Sequence, residues 1–257
     1  MSPKQQSHYN FVMKKVPREV RETIRQGLPV NRKEAFHILP MLTQVRGVSN
    51  SVRYLDDTIS PEKAAKETPK IARIIEDTKK HLEETPHAQV LIHSHLVEGG
   101  TDIISAGLSA AGIKHGVISG RVTSDERDQH VKDYNKGKLK VLVLSSAGTT
   151  GLNLPNTTMH LAADGHYNPA VIDQIEARGI RSGGLSHLPK EERKVHVRRY
   201  RTVQSPSLLH RLGILKKPKT VDEWIYSLAD NKGELNAKAE GLLKASAKIT
   251  CYHYAKD

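Results

Sequence analysis

The stretch KVLVLSSAGTTG, residues 140–151, gives the clearest indication of the fold. Its first half contains four consecutive aliphatic residues, a pattern typical of a short strand buried on both faces of a parallel sheet. Seven small residues (Ser, Ala, Gly or Thr) then follow one another at 145–151. Because few side chains block its amides and hydroxyls, such a loop can approach an anion closely, although the same composition also suits a flexible surface loop.

Further strands and helices alternate on both sides of this stretch. The other predicted strands are QVLIHS (89–94), HGVIS (115–119), TTMHLAAD (157–164) and KVHVRRYRT (194–202). Helices are predicted at 98–111, at 124–137 with Ser124 as its N-cap, and at 168–181 with a proline in its first turn. Short strands separated by helices predict an α/β domain with a parallel sheet that helices cover on both faces. Its ligands should bind in the loops after residues 94, 119, 146 and 164, where strands end.

The two flanks differ from this alternating centre. Residues 1–60 are polar and mostly helical in pattern, and residues 60–69 resemble a solvated connector to a helix at 70–84. After residue 203 come a Ser/Pro loop, a basic loop (KKPK, 216–219) and a helix that begins near Thr220. We therefore predict a helical lead-in and linker at 1–60, a central α/β domain at 61–203, and a basic loop with a helical C-terminal brace at 204–257.

The charge and cysteine content restrict the class of protein. The 40 Lys and Arg residues against 28 Asp and Glu give a net charge of +12. This excess favours a polyanionic partner, most often nucleic acid, over a basic surface without one. The one cysteine, Cys251, excludes an internal disulfide and a multi-cysteine metal site. No apolar run approaches the roughly 20 residues of a membrane helix, and the N-terminal segment lacks the apolar core of a secretion signal. We expect an intracellular, cytoplasmic protein that is not secreted.

Three polar residues in DQIEARGIR (173–181) form the candidate anion site. Gln174, Arg178 and Arg181 follow at i, i+4 and i+7, which places them on one stripe of a helix. Two guanidinium groups on one stripe repel each other unless they share an anion, and a triphosphate suits their fork geometry. The alternative is a solvated helix face neutralised by Glu176. Gly179 argues against that alternative, since glycine inside a helix usually marks a close approach or a helix end.

Metal binding and serine hydrolysis find less support in the sequence. The motif HSH (93–95) brings two histidines to a strand end, but no third ligand has suitable spacing, so we predict no metal site. Ser182 and His187, with Asp164 or Asp173, supply the residue types of a hydrolase triad, but the G-x-S-x-G nucleophile motif is missing. The sequence also contains no G-x-x-x-x-G-K-[ST] phosphate-binding loop.

The order and spacing of five motifs over about residues 40–200 resemble the second RecA-like domain of superfamily-two helicases, in particular the SWI/SNF-like DNA-dependent ATPases. LPMLTQVRGVSNS (39–51) resembles the helical lead-in to that domain. QVLIHSHLVEGG resembles motif IV, and HGVISGRVTSDERDQHVKDYNKG resembles the strand and helix that follow it. VLVLSSAGTTGLNL resembles motif V, and DGHYNPAVIDQIEARGIR the stretch that leads into motif VI. The continuation GGLSHLPKEERKVHVRRY is most similar to members from phages and large DNA viruses. The resemblance therefore leaves a virus- or phage-associated location open beside the cytoplasmic one.

This resemblance implies a role for each motif. Arg178 and Arg181 would be arginine fingers that reach the γ-phosphate of ATP, bound with Mg²⁺ mainly by a first RecA-like domain. Gln174, Gly151 and Asn153 would also contact the nucleotide. The implied contacts to the backbone of DNA, preferably double-stranded, come from three loops at strand ends: His93, Ser94 and His95; Ser119, Gly120 and Arg121; and Ser146, Ala147, Gly148, Thr149 and Thr150.

The sequence departs from the family pattern at several positions. Ala177 replaces the motif VI glycine, Tyr167 stands where tryptophan is common, and Ser182 where an aromatic residue or histidine is frequent. Both arginines are kept, so contact with ATP is still expected. A Walker A lysine and a D-E-x-H magnesium motif are both missing from the sequence. We therefore predict the second motor domain of an ATP-dependent DNA helicase or translocase, inactive as an ATPase on its own.

Two alternatives stay open at the level of sequence. The chain could be a non-enzymatic nucleic-acid-binding or regulatory module that keeps the RecA-like fold. It could also belong to an RNA helicase. Addition of a first motor domain would distinguish the first alternative, and competition between DNA and RNA duplexes the second.

Overall fold

Five parallel strands form the central sheet of the protein. The computed structural model describes residues 1–30, 32–146, 151–180, 184–206, 208–214 and 217–254. The sheet has the order β2-β3-β1-β4-β5, and every neighbouring pair of strands is parallel. Its strands are β1 (Val90–Ser94), β2 (His115–Ile118), β3 (Val141–Ser145), β4 (Met159–Ala162) and β5 (His196–Arg199). All five lie within the predicted strands, so the prediction of a parallel α/β sheet is confirmed.

Helices cover both faces of this sheet and extend beyond it. They are α1 (Pro3–Lys15), α2 (Arg18–Gln26), α3 (Arg32–Asn50), α4 (Pro61–Glu67), α5 (Pro69–Glu84), α6 (Asp102–Ala110), α7 (Ser124–Asn135), α8 (Pro169–Gly179), α9 (Leu208–Arg211) and α10 (Val221–Tyr254). Short 3₁₀ turns lie at Val52–Leu55 and Lys190–Glu192, and a π-helical turn at Val97–Thr101 leads into α6. Among the described residues, no helix is both long and apolar enough to cross a membrane.

Strand β3 is buried on both sides, as its aliphatic run predicts. Val141 and Val143 belong to a hydrophobic cluster with residues of α5 and α6 on one face. Leu142 and Leu144 belong to a second cluster on the other face, which includes Tyr134 of α7. Successive side chains of a strand point to opposite faces, so an unbroken aliphatic run is needed where both faces are covered. This position makes β3 a rigid support for the loop that follows it.

The N-terminus of α7 lies one residue from the predicted cap. Thr123 is the N-cap, and its side chain accepts a hydrogen bond from the amide of Glu126. The carboxylate of Glu126 in turn accepts the amide of Thr123, which completes a capping box. The prediction of Ser124 as the cap was wrong because a glutamate three residues after the cap decides between two neighbouring hydroxyl residues.

Residues 60–69 form a packed helix, not the solvated connector that their composition predicts. Helix α4 is capped by the Ser60 side chain, and its Ala64 and Ala65 are fully buried. Its partner is α6, where a Cβ on Gly107 would lie only 2.8 Å from that of Ala65. The small side chain of Ala65, opposite Gly107, permits this close approach of the two helices.

The N-terminal helices and the start of α10 share one hydrophobic cluster. Tyr9 and Ile24 from the lead-in pack with Val221 and Trp224 of α10. The Trp224 indole N–H also donates to the carbonyl of Leu28 at 2.7 Å, and the amide of Val221 donates to the Tyr9 hydroxyl at 3.0 Å. The two ends of the chain therefore support one another, whereas the predicted boundaries at residues 60 and 203 stay predictions.

Candidate nucleotide and nucleic-acid interface

The carboxyl ends of the central strands meet at one buried carboxylate, Asp164. It lies two residues beyond β4 and is 4% exposed. The Ser94 hydroxyl donates to its Oδ2 at 2.5 Å, and the main-chain amide of His95 donates to its Oδ1 at 2.8 Å. Asn50, the last residue of α3, donates from Nδ2 to the same carboxylate at 2.7 Å. Asp164 thus fixes the end of β1 against the end of β4 and against the N-terminal helices.

A second buried carboxylate extends this network to α10. The Lys70 ammonium group donates to Oδ1 of Asn50 and to Oδ2 of Asp222, the latter at 2.8 Å. Lys70 and Asp222 side chains are each 3% exposed, and the amide of Thr202 also donates to Asp222. The contacts Asp222–Lys70, Lys70–Asn50 and Asn50–Asp164 therefore link α10, α5 and α3 to the carboxyl end of β4. A buried ion pair is tolerated in this form because further hydrogen bonds satisfy both charges.

Nearby positive charge keeps Asp164 ionised. Burial acts to raise the pKa of its carboxyl group. His95, which is protonated only at the low pH where Asp164 titrates, acts with Arg46 and Lys70 to outweigh burial and lower the pKa to about 2. Arg46 of α3 lies 4.0 Å from the carboxylate and donates to the carbonyl of Gly165 at 2.9 Å. The carboxyl end of the sheet therefore contains a buried negative charge whose oxygens accept hydrogen bonds from neighbouring groups.

Three histidine rings contact one another at the carboxyl end of the sheet. The rings of His93 and His95 meet edge to face with centroids 4.5 Å apart, and His166 lies 4.8 Å from His95. Burial lowers the pKa of His93 to about 3 and that of His95 to about 4, so both rings are neutral at pH 7. His95 Nδ1 lies 2.6 Å from the hydroxyl of Ser146, the exposed residue after β3. The end of β1 thereby contacts the start of the small-residue loop.

The loop after β2 presents its charge in a different way. Ser119 is buried, Gly120 and Arg121 are exposed, and the Ser119 hydroxyl accepts the amide of Arg121 at 3.3 Å. The Arg121 guanidinium contacts Asp102 at 3.0 Å and Glu98 at 3.3 Å. A phosphate at this loop would have to compete with two carboxylates for Arg121.

The segment that follows the small-residue loop is anchored to α7. Gly151, where the described chain resumes, adopts a positive φ of 75°, which favours glycine. The Asn135 side chain donates to the carbonyl of Asn153 at 3.0 Å, and Asn156 donates to the carbonyl of Asn135 at 2.8 Å. These contacts fix the main chain at Asn153 while its side chain stays exposed.

The same loop also holds the C-terminal end of α8. The amide of Leu154 donates to the carbonyl of Arg178 at 3.3 Å. A Cβ on Gly179 would lie 3.1 Å from Cγ2 of Thr157, so glycine permits the close approach. Helix α8 ends at Gly179, two residues before the predicted end at residue 181. Gly179 therefore marks both a close approach and a helix end, the two roles that its place in the sequence predicts.

Arg178 has no carboxylate partner among the described residues of its own helix. Glu176 contacts Arg199 of β5 through both carboxylate oxygens, at 2.7 and 2.9 Å. Nε of the half-buried Arg178 is shielded from solvent and has no hydrogen-bond partner among the described residues. Gln174, one turn earlier, is exposed. The alternative in which Glu176 neutralises a solvated basic face is therefore disfavoured.

A comparison with protein families identifies the central part of the chain. The family described as "Helicase conserved C-terminal domain" matches residues 70–183. These residues are a helicase C-terminal domain. They include β1 to β4 and α8, and hence nearly all of the site residues that the sequence indicates.

Relatives of this helicase domain occur in large DNA viruses. A candidate ATP-dependent RNA helicase of Acanthamoeba polyphaga mimivirus is 31% identical over 233 residues, which cover 91% of this chain and 46% of the relative. A "Termination factor NPH-I homolog" of African swine fever virus is 28% identical over 186 residues, covering 65% of this chain and 26% of the relative. The chain thus spans less than half the length of either relative.

Two solved structures share the fold. A Sulfolobus solfataricus SWI2/SNF2 ATPase core in complex with double-stranded DNA gives a TM-score of 0.56 at 20% identity, over 78% of this chain and 39% of that one. The C-terminal part of the Fun30 ATPase domain gives 0.55 at 16% identity, over 87% and 88%. The RecA-like helicase fold that the sequence predicts is confirmed.

Some predicted site residues lie outside the described part of the helicase domain. These are Arg181 on one side and Ala147, Gly148, Thr149 and Thr150 on the other. Of the described ones, His93 and Ser94 are buried, at 2% and 0% exposure. A contact with nucleic acid at these two positions would have to use the main chain, and it stays a prediction.

Little in the sequence indicates the buried network that organises the helicase domain. Arg46, Asn50, Lys70 and Asp222 were not predicted as site residues, although the loop at residue 164 was. The one available signal was an aspartate directly after a predicted strand. The residues of the network are far apart along the chain: Lys70 and Asp222 are separated by 152 residues. No rule of sequence spacing connects them.

The basic run at 194–202 is largely engaged within the molecule. Arg198 contacts Asp77 at 2.8 Å, and Arg199 contacts Glu176. Arg201 lies over the ring of Tyr226, 4.7 Å from its centroid. The arginines of β5 therefore stabilise the edge of the sheet, and phosphate contact by this run has less support than its charge alone suggests.

Proposed function

We propose that this helicase domain is the second motor domain of an ATP-dependent DNA helicase or translocase. Arg178 and Arg181 act as arginine fingers, with Gln174, Gly151 and Asn153 beside the nucleotide. ATP and Mg²⁺ are held mainly by a first RecA-like domain, in the same polypeptide or on another chain. The viral relatives favour a virus- or phage-associated setting.

The observation that carries the proposal is the guanidinium of Arg178, whose shielded Nε has no hydrogen-bond partner among the described residues. A half-buried arginine without a carboxylate is suited to an anion that arrives from outside, and its planar fork fits phosphate oxygens. The carbonyl of Arg178 is bound to Leu154, so the loop after β3 and the arginine move together. A change in that loop on contact with nucleic acid would therefore reach the arginine directly.

The proposed DNA contact lies at the ends of β1 and β3. There the His95 ring is neutral, its partner Ser146 is exposed, and the loop that follows is rich in small residues. Neutral donors and main-chain amides suit the phosphate backbone, which gives affinity without reading sequence. Asp164 supports this edge from behind and does not face the ligand, because it is buried.

ATP hydrolysis by this chain with an added first motor domain tests the proposal. We expect negligible turnover by the chain alone and DNA-stimulated turnover after addition of a domain that carries the Walker A and B motifs. Arg178→Gln should lower the rate by roughly 10³-fold or more, since an arginine finger contributes about 10³–10⁵. Arg178→Lys, which keeps the charge but loses the fork, should restore little activity, and the exposed Arg18→Gln serves as the control.

Two outcomes would contradict this assignment. DNA-stimulated turnover by the chain alone would show that it is not half of a motor. DNA binding without turnover in the presence of a competent first domain, unchanged in Arg178→Gln, would support a non-enzymatic binding module instead.

RNA is the alternative substrate, because the mimivirus relative carries the name of an RNA helicase. Competition for the chain between a DNA duplex and an RNA duplex of the same sequence distinguishes the two. Preferential displacement of labelled DNA by unlabelled DNA supports the translocase, and the reverse order supports an RNA helicase.

A further inference from the structure

A cleft of about 310 Å³ lies outside the helicase domain, between α1, α2 and the segment that precedes α10. Four of its lining residues are basic: Lys14 of α1, Arg21 and Arg25 of α2, and Lys219. None of its lining residues in the described part of the chain is acidic. Like charges around one concave surface repel one another unless an anion is shared among them.

The charges of this basic cleft are mostly not neutralised by the protein. Arg25 contacts Glu22 at 2.9 Å, but both side chains are about half exposed, where such a pair contributes little. Within the described ranges, Lys14, Arg21 and Lys219 form no ion pair. Nε of Arg21 is shielded from solvent without a hydrogen-bond partner among the described residues. A shielded guanidinium donor of this kind is costly unless an acceptor reaches it.

The geometry of the cleft is fixed by main-chain contacts. The amide of Lys219 donates to the carbonyl of Arg25 at 3.2 Å, which joins the segment before α10 to the end of α2. Gly27 ends α2 with a positive φ of 79°, and a Cβ there would overlap the Lys219 side chain. Favourable contact with the C-terminal end of a helix explains the place of Lys219 beside α2 and of Lys14 in the last turn of α1. It does not explain Arg21, which lies in the middle of α2.

The lining favours phosphate oxygens over a nucleobase or a carboxylate-bearing peptide. The one aromatic residue of the lining, Tyr9, is 1% exposed and its hydroxyl is bound by the amide of Val221, so no ring face is available for stacking. Asn10 and Gln204 supply additional neutral hydrogen-bonding groups. Several cations around a space for a few heavy atoms match a compact, multiply charged anion.

We propose that this basic cleft is a phosphate-binding site, separate from the nucleotide site of α8. Its ligand is either a phosphate of the nucleic-acid backbone or a free polyphosphate. The cleft lies outside residues 70–183, and the site does not depend on the arginine fingers proposed above.

The test uses the full chain and two probes, pyrophosphate and a DNA duplex. Pyrophosphate binding is measured by calorimetry, and duplex binding by fluorescence anisotropy over a series of salt concentrations. Arg21→Gln should weaken binding of at least one probe by about tenfold, and Lys14→Gln should act in the same direction. Arg18→Gln is the matched control, since it removes the same charge from the same helix without lining the cleft. Fluorescence of Trp224, the one tryptophan, reports on folding beside the cleft.

The two probes distinguish the source of the phosphate. Loss of pyrophosphate binding with unchanged duplex affinity assigns the site to a free polyphosphate. Weaker duplex binding, with a slope of log affinity against log salt that falls by about 0.9 per lost contact, assigns it to the DNA backbone. The proposal is overturned if folded Arg21→Gln and Lys14→Gln bind both probes as Arg18→Gln does. The nucleotide site is tested separately by the loss of ATP turnover in Arg178→Gln, so either proposal can fail without the other.

Discussion

Replacement of Lys70 by methionine should destabilise the protein strongly, because it leaves two buried acceptors without their donor. In Lys70→Met the carboxylate of Asp222 keeps the amide of Thr202 but loses its cation, and Oδ1 of Asn50 loses its ammonium donor. Removal of one partner from a buried ion pair costs about 3–5 kcal/mol. At roughly 2–4 °C per kcal/mol for a chain of this size, the melting temperature should fall by about 6–20 °C.

A double-mutant cycle separates this pair from ordinary surface effects. Asp222→Asn keeps an acceptor for Thr202, so Lys70→Met/Asp222→Asn should recover at least about 2 kcal/mol relative to the sum of the single variants. Free energies of unfolding are measured by urea titration followed by Trp224 fluorescence. Lys63→Met is the control, since its pair with Glu67 is exposed and 3.8 Å long, and should cost less than about 0.5 kcal/mol. Additive single effects, or a cost for Lys70→Met below about 1 kcal/mol, would refute the argument.

Two further predictions concern His93 and Gly179. Burial lowers the pKa of His93 to about 3, against about 6.5 in the unfolded chain, so the unfolded state binds more protons and stability falls as the pH drops from about 6.5 to 3. His93→Gln should reduce the slope of unfolding free energy against pH between pH 4 and 5.5 by up to about 1.4 kcal/mol per pH unit. Equal slopes for the variant and the unaltered protein in urea titrations would contradict this. Gly179→Ala gains helix propensity but forces a contact with Thr157, so we expect the free energy of unfolding to fall by about 1–2 kcal/mol. Thr157→Ser, which removes the contacting methyl group, should relieve part of this loss. An unchanged urea midpoint for Gly179→Ala would argue against the close approach.

The sheet could be predicted from sequence because its strands are determined locally. A short unbroken aliphatic run such as 141–144 is typical of a strand covered on both faces, and the intervening helices then favour parallel pairing. Gly179 was also informative, because its special conformational and steric properties act where it stands. The limits of α8 and the cap of α7 were less accurate, since neighbouring residues of similar propensity compete for each end.

The buried network could not be predicted in the same way. Lys70 reads as a solvated first-turn lysine beside Pro69, and Asn50 as an ordinary helix terminus. Their burial depends on α10 folding back against α3 and α5, which no local pattern encodes. Helix α4 was missed for a related reason. Alanine is common on both buried and exposed surfaces, so Ala64 and Ala65 alone do not indicate burial. Their burial follows from the close approach of α6 at Gly107.

The distribution of carboxylates decides how the basic residues of this protein should be interpreted. Glu176 and Asp77 both contact arginines of β5, so two charges of the densest basic run in the sequence are paired within the molecule. Because Glu176 is used in this way, Nε of Arg178 on the same helix has no partner among the described residues. In α2 the Arg25–Glu22 ion pair likewise leaves Nε of Arg21 without a partner in the described part of the chain. The net charge predicts that a polyanion binds, and the placement of the acidic residues indicates where. That placement favours the end of α8 and the cleft beside α2 over the arginine-rich edge strand β5.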